Sequence, residues 1–352
     1  MTTDLIIAKE GRIGRIRLNR PKALHALTPD MCRGIIDALA AFESDDDVAC
    51  VVFDHAQGRG FCAGGDIRLL AESGQRDGAE ARAFFMAEYQ MNHRLFTYSK
   101  PIVAFMDGIT MGGGVGIALP CRYRVATENT RFAMPETGIG LFPDVGGGWY
   151  LPRLPGQVGK FLALTGARLD GAECLALGLA THYMPAEAVS KAVASLHDTA
   201  DISRALKAHC SGAPLARIVQ NRGAIDRLFA GDTVAAIMAA LAADGGKWAL
   251  KELDTLRTKS PLSMAVALRQ LREGAAMPDF ATEMAQEYAI GARVVRTSDF
   301  IEGVRALIID KDNTPRWVPE VDPAEVDAIF APMPPGEEWS PSSIVAPGLT
   351  RS

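Results

Sequence analysis

Glu136 and Asp144, each directly preceded by a proline, are the acids of the stretch 131–150, RFAMPETGIGLFPDVGGGWY. Their companions Met134, Ile139, Leu141, Phe142, Val145 and Trp149 are apolar, so neither carboxylate belongs to a charged face. Five glycines and two prolines in the span argue against a continuous helix. An apolar loop that buries acids is costly unless they are paired, hydrogen-bonded or used. Burial also raises a carboxyl pKa toward neutrality, which suits general acid–base or nucleophilic work. The bland alternative is a pair of turn-capping carboxylates. Glu88 is a third candidate: in a helical register its neighbours are Phe84, Phe85 and Met91, so it lines a pocket or meets a basic partner.

Several elements must position these acids. Residues 12–18 alternate as a half-exposed strand. Thr28-Pro29-Asp30 starts a helix, with Thr28 as N-cap, and Ile35, Ile36, Leu39 and Phe42 form its buried face. Residues 48–53 read as a buried strand, followed by the glycine-rich run GRGFCAGGDI (58–67) and a helix from about Asp66. Residues 79–98 read as a long helix, and 101–106 as another buried strand, followed by DGITMGGGVG (107–116). Strand, glycine loop and helix thus occur twice. Glycine lets backbone approach a ligand closely, and free N–H groups at a helix start favour negative charge; two such loops can form an oxyanion hole. The glycines of 107–116 do not fit G-x-G-x-x-G, so dinucleotide binding is discounted. A short strand is expected at 122–126, and helix, turn, helix, strand over 162–185, with Asp170 as an N-cap and Gly178 as a stop. Beyond 190 helical periodicity takes over, with Trp248, Leu250, Leu253 and Leu256 read as one apolar face. The expected organisation is a core over 1–190, an α-helical region over 191–330, and a proline- and serine-rich extended or disordered tail over 331–352.

The 352 residues, 48% hydrophobic and 22% charged, can form a sizeable core. A net charge of −5 argues against nucleic acid or an anionic membrane as partner. The acidic run 43–47 reads as a solvated helix-to-strand junction. Six scattered cysteines without a C-x-x-C pair read as reduced thiols in a cytoplasmic protein. The first residues lack the pattern of a signal peptide, and no run of eighteen apolar residues suggests a membrane span. The six histidines show no metal-ligand spacing, and neither a G-x-S-x-G elbow nor a Walker sequence is present.

These residues resemble the crotonase (enoyl-CoA hydratase/isomerase) superfamily through FCAGGDI (61–67), Gly112-Gly113-Gly114 and Leu164-Thr165-Gly166. Longer runs resemble its 3-hydroxyisobutyryl-CoA hydrolase branch: GITMGGGVG (108–116), FAMPE (132–136), GIGLFPDVGGG (138–148) and EGVRALIIDKDNTPRW (302–317). The resemblance implies an α/β fold with a repeated ββα spiral core and an α-helical C-terminal region. It implies an acyl-CoA thioester hydrolase, acting in valine degradation, with no cofactor beyond the coenzyme A of its substrate and no metal. By the same resemblance Glu136 and Asp144 are catalytic, Glu88 and Gly113 contact the acyl group, and the N–H groups of Ala63 and Gly113 form the oxyanion hole. Lys22, Ala23, Leu24 and Ala26, with Gly64, Gly65, Asp66 and Ile67, would line coenzyme A, and Arg20 and Lys22 are phosphate candidates. His25 departs from the asparagine common in the family. Where the hydratases carry a first catalytic glutamate after the glycine loop, this chain has Gly116. The remaining alternatives are an enoyl-CoA hydratase or isomerase and a non-catalytic acyl-CoA-binding protein. The superfamily forms trimers, so a homo-oligomer is compatible with this reading.

Overall fold

Three turns of a repeated unit build the core, and each turn gives one strand to each of two sheets. The structure is a computed structural model that describes residues 3–342. Its strands are β1 (Leu5–Glu10), β2 (Ile13–Leu18), β3 (Cys50–His55), β4 (Gly60–Cys62), β5 (Ile102–Met106), β6 (Ile109–Met111), β7 (Tyr123–Ala126), β8 (Arg131–Ala133), β9 (Leu169–Asp170) and β10 (His182–Tyr183). The larger sheet has the order β1-β2-β3-β5-β7-β10 and the smaller β4-β6-β8-β9. All pairings are parallel except β1 with β2 and β8 with β9. The pairs β3/β4, β5/β6 and β7/β8 are therefore successive turns of one ββα spiral. The strands at 60–62, 109–111 and 131–133 fall inside segments read from sequence as loops, because three residues are too few to show a period.

The helices of the first half are α1 (Pro29–Glu43), α2 (Ile67–Gly74), α3 (Ala79–Phe96), α4 (Gly113–Ala118), α5 (Gly147–Tyr150), α6 (Val158–Thr165) and α7 (Gly171–Ala176). Their starts follow local chemistry. The Thr28 side chain accepts from Met31 N–H, Asp66 from Leu69 N–H and Asp170 from Glu173 N–H. The second half adds α8 (Val189–His197), α9 (Ile202–Lys207), α10 (Ile218–Leu228), α11 (Val234–Asp244), α12 (Lys247–Arg257), α13 (Pro261–Gly274), α14 (Phe280–Val294), α15 (Ser298–Val304) and α16 (Pro323–Ile329). The large sheet is apolar on both faces, as a parallel sheet requires. Cys50, Val52, Val103, Phe105 and Val125 pack under α8 and α9, while Val51, Phe53, Ala104 and Met106 face the main core. That main core runs unbroken from α1 and α3 into α12, α13 and α14.

One expected helix face is corrected. Leu253 and Leu256 of α12 are buried, but Leu250 is 43% exposed. It lies two positions from Trp248, which is about 200° around a helix, so the two cannot share a face. The acidic junction after α1 is also more than solvated: Asp45 and Asp47 pair with Lys9, and Glu43 with Arg94. The span 331–342 runs without regular structure and buries Trp339, while Gln90 of α3 bonds the backbone of Ser340 and Ser342. The remainder of the proline-rich tail, 343–352, lies outside the described residues, as do Met1 and Thr2.

The conspicuous run 302–317 acquires a structural role here. Arg305 ties Glu302, Asp310 and Asp312 together, and Glu302 accepts from Arg316 N–H, so the run closes on itself. Its Gly303 lies against Ile139; a Cβ there would fall 2.3 Å from the Ile139 carbonyl oxygen. Gly140, at φ 78°, meets the Asp299 carbonyl in the same way. The last helices thereby press on the segment that follows Glu136. Gly303→Ala should destabilise the protein by about 1–3 kcal/mol in denaturant unfolding, since forced overpacking outweighs the roughly 1 kcal/mol of helix propensity gained. A variant as stable as the parent would show that this contact yields easily.

Candidate active site

Glu136 enters the interior on a 3-10 turn, Glu136–Gly138, immediately after β8. Thr137 anchors that turn by donating to the Leu164 carbonyl at 3.2 Å, and Ser260 N–H donates to the Thr137 carbonyl at 3.0 Å. Gly166 closes α6 at φ 65° and lies against Pro135; a Cβ there would be 2.9 Å from Pro135 Cα. The Leu164-Thr165-Gly166 run thus serves as the bed of the Glu136 turn.

Asp144 follows on a loop whose next two residues, Val145 (φ 53°) and Gly146 (φ 92°), are left-handed. That conformation is unfavourable for a β-branched valine and has to be held by its surroundings. Glu88 reaches the same place from the middle of α3.

The three carboxyls line one cavity of about 90 Å³ together with Ala63, Gly64, Gly65, Gly112, Gly113, Leu70, Phe84, Phe85 and Leu141. They are 2% (Glu88), 4% (Glu136) and 6% (Asp144) exposed. Among the described residues none of the three has an ion-pair partner. Burial pushes the Glu136 carboxyl well up, and the nearby charge of Asp144 adds to it. Burial likewise raises Glu88, again with a contribution from Asp144. Asp144 is pushed up to about 7 by burial, opposed by the hydrogen bond it accepts from the Tyr89 hydroxyl at 3.0 Å. Glu88 Oε1 and Glu136 Oε2 have no protein partner. Such oxygens are expected to find one in a ligand or water.

Backbone amides face these acids. A Cβ at Gly112 would lie 3.4 Å from Glu136 Oε1, and one at Gly113 only 2.7 Å from Glu88 Oε1. Glycine is what allows the start of α4 to approach so closely. Gly113 N–H makes no backbone hydrogen bond and is free for a ligand oxygen. The expected second donor is corrected. Ala63 lines the cavity, but its N–H donates to the Leu24 carbonyl at 3.0 Å and is spent. Gly65 N–H, two residues on and also at the cavity wall, makes no backbone bond. Sequence spacing locates such a loop without saying which of its amides points inward.

The two segments expected to line coenzyme A are brought together. Leu27 N–H donates to the Gly64 carbonyl at 2.7 Å, and Cys62 Sγ donates to the His25 carbonyl at 3.2 Å. Arg20 is engaged by Asp66 at 3.3 Å and the Ala26 carbonyl at 3.0 Å, so it braces the loop. Lys22 is exposed and has no ion pair among the described residues. His25 is buried and clasps the loop: its Nδ1 accepts from Arg20 N–H at 2.9 Å while Nε2 meets the Gln57 carbonyl at 2.9 Å. That pattern demands the neutral ring protonated on Nε2. It also supports the left-handed backbone of Leu24 and His25 (φ 48° and 59°).

Sequence reasoning missed three residues of this region. Tyr89 was hidden by its neighbour Glu88, and Gln270 and Glu287 sit far along the chain. All three are fully buried polar side chains; a polar residue on the apolar face of a helix is the signal that could have found them. A larger groove of about 770 Å³, lined by Met238, Met264, Leu268 and Trp317 among others, holds none of the acids or glycine loops. Size alone therefore does not locate the chemistry here.

Comparison with known proteins agrees with this geometry. Residues 13–330 match the family model described as enoyl-CoA hydratase/isomerase. A zebrafish (Danio rerio) protein named 3-hydroxyisobutyryl-CoA hydrolase, mitochondrial, is 43% identical over 327 residues, covering 90% of this chain and 85% of its own length. The human (Homo sapiens) protein of the same name is 40% identical over 326 residues, covering 90% and 84%. Among solved structures, a carnitinyl-CoA dehydratase from Mycobacterium thermoresistibile superposes with a TM-score of 0.90 at 40% identity, covering 95% of this chain and 98% of its own. An enoyl-CoA hydratase from Rhodobacter sphaeroides gives 0.88 at 39% identity, covering 96% and 100%. The relatives' names place them in mitochondria and lend no support to a cytoplasmic location. No helix among the described residues is long and apolar enough to cross a membrane.

The His25 clasp has a pH consequence. Burial lowers its pKa, so the folded state prefers the neutral ring. Its contribution is complete above the ordinary histidine pKa of about 6.5 and is lost as pH falls from there through the lowered value. The KM for an acyl-CoA should rise several-fold across that window, and His25→Asn should flatten the rise. An identical KM–pH curve in the variant would dismiss the clasp.

Proposed function

The chain belongs to the enoyl-CoA hydratase/isomerase family, and we propose that within it the protein is a thioesterase that hydrolyses 3-hydroxyisobutyryl-CoA to the free hydroxy acid and coenzyme A. The observation that carries this reading is that Glu136 and Asp144 line one buried cavity with the free backbone amides, with no acid at position 116. A Cβ at Gly116 would fall 2.6 Å from Asn92 Nδ2 and 2.7 Å from Val145 Cβ, so no side chain fits where a hydratase carries its first glutamate. Two-carboxylate water addition is thereby disfavoured, although the most similar solved structures named above are called a dehydratase and a hydratase. The small cavity supports a short acyl group, and the named relatives supply its identity.

In the proposed mechanism the thioester oxygen lies against Gly113 N–H and, in place of Ala63, Gly65 N–H. Negative charge builds there during acyl transfer, and losing one such donor typically costs about 10²–10³ in rate. Ionised Glu136 attacks the carbonyl carbon. The tetrahedral adduct collapses, breaking the C–S bond, and the departing thiolate takes the proton of neutral Asp144. Asp144, now ionised, removes a proton from water as its oxygen bonds to the Glu136 carboxyl carbon of the anhydride, so that the hydroxy acid leaves with the bridging oxygen and takes the proton that remains on Glu136. Collapse releases the hydroxy acid and restores ionised Glu136 and protonated Asp144. In the alternative route Glu136 acts as general base on the water directly, and oxygen-18 incorporation into Glu136 in single turnover distinguishes the two. Glu88 pairs with the hydroxyl of the acyl chain.

This cycle needs Glu136 ionised and Asp144 protonated. The kcat–pH profile should therefore be bell-shaped: Glu136 and Asp144 are both raised and titrate as one pair, the cycle runs on its singly protonated form, and the basic limb, near pH 7, marks loss of the remaining proton, which the cycle places on Asp144. Glu136→Gln and Asp144→Asn should each lower thiol release by roughly 10²–10⁴-fold without unfolding the protein, and Asp144→Asn should also erase the basic limb. Near-parental hydrolysis by Glu136→Gln would end the proposal. Thiol release from 3-hydroxyisobutyryl-CoA, measured beside hydration of crotonyl-CoA, should show hydrolysis dominant; the reverse result would favour a hydratase. Glu88→Ala should erode the preference for hydroxylated over plain acyl groups, because a site built for a hydroxyl leaves buried polar atoms unpaired without it. Equal losses on both substrates would remove Glu88 from this role.

A further inference from the structure

Behind the cavity, three buried polar side chains grip the loop that carries Asp144. Glu287 of α14 accepts from Gly146 N–H through Oε2 at 2.9 Å and from Gly148 N–H through Oε1 at 3.2 Å. Gln270 of α13 donates to Glu287 Oε1 at 3.0 Å and to the Pro143 carbonyl at 2.9 Å. The backbone of Asp144 is thus held on both sides, across its left-handed kink, by residues more than a hundred positions away. Glu283, one turn before Glu287, completes the group and also lies against the loop: a Cβ at Gly148 would be 2.0 Å from its Oε1.

All three are fully buried, and burying a second carboxyl beside a first is costly. The hydrogen bonds say where the charge resides. Three N–H groups converge on Glu287, whereas among the described residues no N–H reaches either Glu283 oxygen, so the donors favour the negative charge on Glu287 and leave the shared proton to its neighbour Glu283. Burial raises both carboxyls, so the pair holds protons more tightly than surface acids do. The charge of Asp144 raises Glu287, and both carboxylates raise the Tyr89 hydroxyl, so the two acids lie within electrostatic reach of one another.

We propose that Glu287, braced by Gln270, is a positioning residue of the reaction: it fixes the loop that aims Asp144 and, through its charge, sets how readily Asp144 holds a proton. This rests on the reading of Asp144 as the acid that protonates the thiolate. A neutral clamp could hold the loop equally well, but a negative charge behind Asp144 keeps it protonated when the thiolate departs. The other titratable groups around Asp144 are Glu88 and Tyr89 on α3 and Glu136 on its turn. Tyr150 on α5 adjoins Glu287, and Arg153 faces Glu283.

The test uses the full-length enzyme and steady-state thiol release. Glu287→Gln keeps the volume, removes the charge and sets an amide N–H against a backbone N–H. The protein should stay folded by near-UV circular dichroism, kcat should fall roughly 10–100-fold and KM should stay within about twofold. The basic limb of the kcat–pH profile should move to lower pH by about one unit, since losing a negative neighbour favours ionised Asp144. A purely structural role would leave that limb in place. In an Asp144→Asn background the substitution should add little further loss, because it acts through Asp144.

An unchanged kcat and pH limb in Glu287→Gln would overturn the inference, as would a loss that multiplies in full onto that of Asp144→Asn. Asp144→Asn alone separates the two ideas. Wild-type turnover by that variant would refute the role of Asp144 itself, whereas an impaired Asp144→Asn beside an intact Glu287→Gln refutes only the clamp. Should Glu287→Gln fail to fold, Gln270→Leu releases the Pro143 carbonyl while keeping the charge. Its kcat should drop several-fold with the limb unmoved, and an unchanged kcat would count against the proposal.

Discussion

Three buried carboxyl groups share one small cavity without a cation among the described residues, and most of the structure around them can be understood as bearing that cost. An isolated ionised carboxylate cannot be taken out of water cheaply; it changes its proton affinity or finds donors. Here both responses occur. Glu88, Glu136 and Asp144 all hold their protons more tightly than a surface acid would. The donors available are a single phenol, Tyr89, and the backbone amides at the ends of two glycine loops. An acyl-thioester brings an electrophilic carbon toward the acids and an oxygen that those amides can hold.

Close approach is the second constraint, and it explains the glycines better than flexibility does. Gly112 and Gly113 let a helix start come within contact of Glu136 and Glu88, Gly116 seats Asn92 and Val145, and Gly148 seats Glu283. Position 116 is the informative one. Its neighbours are not a vacancy waiting for a longer residue; Asn92 and Val145 occupy the volume, and Val145 does so in a strained conformation next to Asp144. The glycine at 116 and the kink that follows Asp144 are thus two aspects of one packing arrangement.

The sequence revealed the acids because a carboxylate among phenylalanines and leucines is anomalous by itself, and Glu88, Glu136 and Asp144 do meet in one cavity. It revealed α1, α3 and the long strands because caps and periodicity are local properties. It could not reveal β4, β6 and β8, three residues each, which exist only because neighbouring strands pair with them. It misplaced one oxyanion donor, since the direction of an amide depends on what the Leu24 carbonyl does nearly forty residues earlier. It put Leu250 on a buried face by counting apolar residues without their angle. Tyr89, Gln270 and Glu287 were visible only as polar residues on greasy helices, and nothing local said that they meet.

That last group bears on why so long an α-helical half is attached to a spiral that already contains the reacting acids. The core supplies the bed of the Glu136 turn, α6 and β8, to which the C-terminal half adds the Ser260 N–H bond to Thr137. It does not position Asp144: the loop 143–148 makes a left-handed kink whose amides point away from the sheets and toward α13 and α14. Those amides would be unsatisfied or hydrated without Glu287 and Gln270, and a hydrated kink would admit water beside Asp144 and return its pKa toward that of an exposed aspartate. The same helices are held down by the run 302–317, whose Gly303 abuts Ile139 on the other side of the Glu136 turn. One layer of C-terminal structure therefore grips both acidic segments from behind. The glycine loops in front and that layer behind therefore jointly hold the two acids in one cavity.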